Sequence, residues 1–426
     1  MTSHGHPPGR RRSGRLMVGA SAITTLGAIP PFLIGAQAVE IRDDLGFGLG
    51  GFGVAVSLFF ATAAVATVAT SGVVDRMGRR RLLAAAGTLV ALGGAAMGTL
   101  VVGWWSLLLV MMVLGLGNAA CQATANLLMA RALPPGRRGL GFGVKQSAVP
   151  LAIMLGGLAV PTTGEIWGWR STFLITATLG LLVVVLAALT GRRRPAGATP
   201  VAVEVDLFDV PPTLPLLLAA LAITFASAAA NFVGAFAASW GFEVGMTPSQ
   251  TGLLMAAGSG GSIVVRIFSG WRADHRHGAN LPVVAAQMWV GAAACLGLVV
   301  QAEWAVWVFG LLAFSIGWSW PGLLLYAVAR LGRDNPAKAS GAIQAGAFAG
   351  GALGPLLLGG LSATAGFPVT WAVASGCFLV AGVLILLSRR LFVADLVARP
   401  PREPFTYGRV KVTGPTSSRP GPGRED

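Results

Sequence analysis

Carboxylates are scarce in this chain: 16 Asp and Glu stand against 31 Lys and Arg, and charged residues of either sign are 11% of 426. A soluble domain carries about a quarter of its residues as charges, so a surface wetted on every side is excluded. Cysteine is rarer still. Cys121, Cys295 and Cys377 lie in apolar runs and are odd in number, which argues against a disulfide framework and for buried packing. The four histidines, at 4, 6, 275 and 277, have no cysteine or carboxylate at metal-ligand spacing, so no metal is expected. A net charge of +15 would suit nucleic acid, but the arginines are not interleaved with base-stacking aromatics. No nucleic-acid partner is expected.

What the chain has is apolar length. Hydrophobic residues are 54% of it, and the mean hydropathy is +0.72. Twelve segments are close to the roughly 20 residues that cross a bilayer as a helix. They are 16–38, 49–70, 82–103, 105–130, 141–164, 171–190, 213–238, 250–270, 281–301, 304–328, 340–364 and 369–388, numbered here as spans 1 to 12. In lipid a helix pairs its backbone within its own segment, whereas an open sheet leaves groups unpaired. Barrel strands would be shorter and alternating. The expected fold class is an all-α membrane protein with the lipid bilayer as its medium.

Charge placement orients it. With the N-terminus inside, 27 of the 31 Lys and Arg residues fall in the tails and cytoplasmic loops; Arg42 and Arg170 lie outside, and Lys145 and Arg266 lie within spans. That bias is the positive-inside pattern and places both termini in the cytoplasm. Arg outnumbers Lys 28 to 3, with Ala and Gly abundant, which suggests a GC-rich bacterium and its inner membrane. Arg10–Arg12 before an apolar run, with Ala36-Gln-Ala38 behind it, imitates a secretory signal. The run is too long for one and contains Pro30 and Pro31, so it reads as span 1. Gly48-Leu-Gly50-Gly51-Phe-Gly53 imitates a dinucleotide loop, but no strand precedes it. It reads as helix packing, and no cofactor is expected.

The chain also repeats itself. Gly46, Gly53, Asp75 and Arg131 match Gly245, Gly252, Asp274 and Arg330 at an offset near 199. Gly143-Val-Lys-Gln146 matches Gly341-Ala-Ile-Gln344, and Gly168-Trp-Arg-Ser-Thr-Phe173 matches Gly366-Phe-Pro-Val-Thr-Trp371. Such repeats build a central site that rocks between two faces. The expected organisation is a cytoplasmic N-tail 1–15, a six-helix bundle 16–190, a Pro- and Arg-containing linker 191–212, a second bundle 213–390 and a disordered cytoplasmic tail 391–426.

Between spans 2 and 3 lies Ser71-Gly-Val-Val-Asp75-Arg-Met-Gly78-Arg-Arg-Arg81, with a degraded copy at Gly270-Trp-Arg-Ala-Asp274-His-Arg-His-Gly278. The first loop resembles the signature loop of the major facilitator superfamily, departing at Ser71 where that family has Gly. The resemblance extends over about residues 16–390. It implies two pseudo-symmetric six-helix bundles and transport by alternating access. It also implies that Asp75 meets the start of span 11 near Ala339–Gly341 and steadies one access state, with Arg76, Gly78 and Arg79 completing the gating loop. The alternative is that these charges only mark topology. Asp274 is the weaker case, because His275 stands where Arg76 does. In span 4 Met111 occupies the place of an arginine linked to proton coupling in many relatives, which weighs against proton antiport. Span 5 lacks the Gly-Pro pair of drug antiporters; Gly354-Pro355 sits in span 11 instead and reads as close packing.

Lys145 is the leading candidate site residue. It lies inside span 5, where a charge costs roughly 2.5–3.5 kcal/mol to insert. Arg266 in span 8 either lines the pathway or snorkels to the headgroups. Glu40, Glu165, Glu243 and Glu303 lie near external ends, and no carboxylate is well inside a span. The expected cavity is neutral to positive, which suits an anion. Asn118, Gln122 and Asn126 share a face of span 4; Asn231, Trp318, Trp320 and Gln344 are the further lining candidates, the amides equally suited to interhelical hydrogen bonds. Trp104, Trp105, Trp167, Trp169, Trp240, Trp304, Trp307 and Trp371 near external ends read as interface anchors. The expected function is secondary active or facilitative transport of a small organic solute, anionic by charge sign, by a monomer. The alternatives are a multidrug or metabolite exporter and a transport-inactive sensor or scaffold. An enzyme is disfavoured, for no nucleophile–base pair is present.

Overall fold

The computed structural model describes residues 10–400, 405–407 and 410–412, except 71, 73–75, 131–137, 190–209, 276–279 and 334. Spans 1 to 4 are the helices Arg10–Ala36, Leu49–Ala69, Arg79–Thr99 and Trp104–Ala130. Spans 6 to 9 are Trp169–Leu189, Thr213–Glu243, Pro248–His275 and Asn280–Gly297. Spans 5 and 10 are broken. Span 5 is Arg138–Gln146, then Ala148–Ala159, a π-turn Val160–Gly164 and a last turn Glu165–Trp167. Span 10 is Glu303–Leu312, a π-turn Ala313–Gly317 and Trp320–Leu331. Spans 11 and 12 form one run, Pro336–Ala398, divided at Gly366 by non-helical backbone (φ 81°, ψ 166°). The twelve expected spans are therefore present as helices.

The breaks in spans 5 and 10 follow from proline. A proline within a helix has no N–H for the carbonyl four residues earlier, and its ring crowds that carbonyl. Pro150 thereby removes the partner of the Gln146 carbonyl, and Pro321 that of Gly317. Span 5 interrupts at Ser147 and span 10 at Trp318–Ser319, each just upstream of its proline.

The internal repeat is written into the backbone. Among the described residues the glycines with positive φ are Gly46 (69°), Gly168 (74°), Gly245 (101°) and Gly366 (81°). They form two pairs, Gly46 with Gly245 and Gly168 with Gly366, at the offset the sequence shows. Each pair makes the same turn in both bundles. The bundles meet where glycine lets backbones touch. A Cβ at Gly53 would sit 2.2 Å from the Pro355 carbonyl oxygen, and one at Gly157 2.3 Å from that of Gly252. Gly53 and Pro355 thus make one close helix contact, while Gly354 packs on Ala228 of span 7 and Gly51 on Trp104 of span 4.

Three expectations are corrected. Glu40–Asp44 is not a loop but part of a short helix, Ala38–Leu45, capped by Gly46 and tied by Asp44 to Arg170 (2.5 Å) and to the Trp169 indole (3.2 Å). The tail is ordered further than its composition suggests: helix continues to Ala398, and Phe405–Tyr407 pairs antiparallel with Val410–Val412. Trp240, Trp371 and Trp169 are buried (1, 0 and 5% exposed), so they are core and not anchors, while Trp105, Trp167 and Trp304 are exposed as anchors should be. The linker 191–209, the N-tail to residue 9 and the tail beyond 412 lie outside the described residues. The described cysteines are free thiols within helices.

A side chain at Gly366 is forced into backbone space that L-residues avoid, at about 1–3 kcal/mol. Gly366→Ala is expected to lower the thermal unfolding midpoint of the detergent-purified protein. Gly376→Ala, where a Cβ meets nothing within 4 Å, is expected to leave it unchanged.

Candidate functional site

A cavity of about 860 Å³, its open mouth included, lies between the two bundles at mid-span. Spans 1, 2, 4 and 5 line it from the first bundle, and spans 7, 8, 10 and 11 from the second. Of the eight substrate-site residues singled out in the sequence, all line it: Asn118, Gln122, Lys145, Asn231, Arg266, Trp318, Trp320 and Gln344. Its lining reaches Ile223, Leu325 and Ile343 on the arginine-rich side. On the opposite side an aromatic cluster closes it. Phe52 of the first bundle meets Phe236 of the second edge-on at 5.2 Å, and Phe236 stacks on Phe232 at 4.8 Å. Trp371 and Trp240 complete this plug, which is why they are buried.

Lys145 sits on the last turn before the break in span 5. Its Nζ donates to Asn126 Oδ1 of span 4 at 2.6 Å. An ammonium has three protons to donate, so two remain for a solute. No carboxylate is among the residues lining the cavity. Asn126 was on the polar face of span 4 in the sequence; its role as the lysine's partner depends on how spans 4 and 5 cross.

Arg266 does not snorkel. It is 2% exposed and points inward, where Nη1 donates to the Gln146 carbonyl and Nη2 to the Trp318 carbonyl. Gln146 is the carbonyl that Pro150 leaves without a helical donor, and Trp318 lies in the gap before the helix carrying Pro321. One guanidinium fork therefore supplies the donor that Pro150 removes in span 5 and ties that carbonyl to the gap in span 10, joining helices of opposite bundles. The sequence signal was Gln146-Ser-Ala-Val-Pro150 itself: a proline deep in a span asks for a donor from elsewhere.

The asparagines serve packing as well as lining. Asn118 Nδ2 donates to the Gly27 carbonyl of span 1 at 2.9 Å, and Asn231 Nδ2 to Ser227 in its own helix at 2.9 Å. Gln122, Gln146 and Gln344 are half-buried against the cavity. Phe60 and Phe348, absent from the sequence-based site, face it from spans 2 and 11; nothing distinguishes them in sequence from other apolar helix residues.

The two signature loops divide. Asp75 lies outside the described residues, and Arg76, Gly78 and Arg79 are exposed on the arginine-rich side. Gly341, in the expected docking region, has open space around it. In the degraded copy the carboxylate makes a firm contact. Asp274 Oδ1 accepts from the Gly139 amide at 2.8 Å and Oδ2 from Leu140 at 2.9 Å, at the N-terminus of span 5. A carboxylate there meets unpaired amides and the positive end of the helix dipole. Glycine at 139 and 270 lets the two spans close around it. On the far face Ser249 of span 8 donates to Glu165 of span 5. Beside it Glu40 is half-buried, and burial first and Glu165 second raise its carboxyl above the ordinary range.

The family model described as Major Facilitator Superfamily matches residues 13–234 and again 216–417. An MFS-type efflux pump of Mycolicibacterium smegmatis is 28% identical over 214 residues, 48% of each chain. The hexuronate transporter of Bacillus subtilis is 28% identical over 146 residues, 34% of each chain. The chain thus spans about half the length of the first of these relatives and a third of the second. The chloramphenicol resistance protein of Streptomyces lividans is 28% identical over 366 residues, 80% of this chain and 91% of that one. A bacterial homolog of the human lysosomal transporter Spinster, solved inward-facing and occupied, superposes with a TM-score of 0.70 at 18% identity, covering 92% of this chain and 99% of that one. That likeness shows the fold.

Removing the Asp274 cap is expected to cost about 0.5–2 kcal/mol. Asp274→Ala should lower the unfolding midpoint in detergent, and Asp274→Asn, which keeps one acceptor, should lower it less. Glu40 carries the opposite sign. A carboxyl raised on folding contributes fully below its unfolded pKa of about 4 and loses that contribution as pH rises through the raised value. Glu40→Gln is expected to raise the midpoint relative to wild type at pH 7 and to give no gain at pH 4.

Proposed function

The chain belongs to the major facilitator superfamily, and from that premise we propose that it moves a small organic anion across the membrane by alternating access. The observation that carries this reading is the central cavity's charge: Lys145 and Arg266 line it, and no Asp or Glu does. Two cations in a low-dielectric cavity favour an anion there and repel a cation. The relative named as a hexuronate transporter takes, by that name, a sugar acid.

Lys145 attracts the solute, and Gln122 and Gln344 orient it from opposite bundles. The aromatic plug and the Asp274 cap are the seals on the two sides. The positive-inside bias supports a cytoplasmic arginine-rich face with both termini there, in the bacterial inner membrane. The transport unit is one chain, because the cavity is walled by the two bundles of a single chain.

A second reading rests on relatives named as an efflux pump and a chloramphenicol resistance protein, the latter matched over 91% of its length. In it the solute is a drug or metabolite and the direction is outward. Met111 and the lack of a carboxylate lining the cavity weigh against export driven by a protonatable acid.

Proteoliposomes holding the full chain, screened with organic anions, cations and neutral drugs, separate the two. Lys145→Met is expected to lower anion uptake about tenfold or more, a loss of at least about 1.4 kcal/mol of transition-state stabilisation, and Lys145→Arg to retain part of it. Wild-type accumulation of cations or neutral drugs alone would overturn the anion reading.

A further inference from the structure

Resting on the anion reading, we propose that the solute is a monocarboxylate with an aromatic body, its carboxylate on Lys145 and its ring against Phe60 and Phe348.

Few of the cavity's polar groups are open to a solute. Arg266 lends its field but little contact: it is 2% exposed, and both terminal nitrogens are held by backbone carbonyls. Asn118 and Asn231 are 4 and 8% exposed, with their amide nitrogens on backbone carbonyls. Lys145 is half-buried, and two of its three protons are unassigned. The reachable polar set is one cation and the amides Gln122, Gln146 and Gln344.

The rest of the wall is apolar and aromatic. Phe60 and Phe348 line it along the seam where spans 2 and 11 pack on each other, Phe60 lying against Gly351, and Phe32 and Trp318, edge-on at 5.6 Å, add two more rings to the lining. A ring placed here gains apolar burial and aromatic contact. A second carboxylate finds no second cation with a surface to bind it, and a polyhydroxylated body sets hydroxyls against the apolar and aromatic wall, where they lose water without gaining a partner.

The test measures equilibrium binding, by tryptophan fluorescence and by thermal shift, to the full chain in lipid nanodiscs. The probes are phenylacetate, glucuronate, succinate and tetraphenylphosphonium. Phenylacetate is expected to bind about tenfold or more tighter than the other two anions, the scale of a hydrophobic-pocket preference. Phe348→Ala should erase that preference, Phe348→Leu should keep part of it, and Lys145→Met should weaken phenylacetate while leaving the unfolding midpoint unchanged. Tighter binding of glucuronate or succinate overturns the proposal and leaves the anion reading standing. Binding of tetraphenylphosphonium with none of the three anions overturns both.

Discussion

The centre of this molecule depends on the fork of Arg266. Two prolines, one in each bundle, interrupt two spans beside the central cavity, where a stranded carbonyl needs a donor from another element. The guanidinium of a third span answers the first break, bonding the Gln146 carbonyl, and reaches the second at the Trp318 carbonyl, next to the one Pro321 strands. It is a buried cation whose two terminal nitrogens are held by carbonyl dipoles in place of a carboxylate, so its charge remains to be felt in the cavity. The same residue therefore closes the backbone and sets the sign of the site.

Around that centre the fold is assembled from short-range contacts that only small residues permit. Gly53 against Pro355 and Gly157 against Gly252 bring backbone to backbone on the face opposite the arginine-rich loops. Ser57 adds a hydrogen bond to the Ala352 carbonyl across the same seam. Lipid provides no hydrophobic drive between helices, so close van der Waals approach and hydrogen bonds of this kind carry the association. The aromatic plug sits where these seams meet. Its tryptophans lie at the membrane edge in sequence but in the protein interior in space, and position along a helix alone could not separate the two.

Much of this was legible from residue order. Hydropathy located the spans, because a segment that crosses lipid must be apolar along its whole length. Glycines at a constant offset marked the repeat, and Gly46, Gly168, Gly245 and Gly366 show why: each holds a backbone conformation costly to other residues. The cavity's polar members were legible because polarity inside a span is conspicuous. Its apolar members were not, since Phe60 and Phe348 look like any other core phenylalanine. The pairing of Arg266 with Gln146 and Trp318 was hidden because it joins residues 120 and 52 positions apart in different helices. The loop carboxylate was divided. Gating was assigned chiefly to Asp75, yet it is Asp274, in the loop with fewer matching residues, whose cap is seen. The neighbouring arginines are dispensable to that contact; an acceptor at a helix start is all it needs.

These contacts also limit how the bundles can move. The plug lies on one side of the cavity and the Asp274 cap on the other, while the Arg266 fork spans the bundles at the level between them. A rotation of the bundles centred near that level strains the plug or the cap while both fork bonds are kept. A rotation centred at either seal drags the Gln146 carbonyl away from the guanidinium, and each buried group so stranded costs about 1–3 kcal/mol. Retaining the fork therefore favours motion about the level of the cavity over motion about either seal. On the proposed reading a solute at Lys145, one residue from the stapled carbonyl, lies near that axis and moves least.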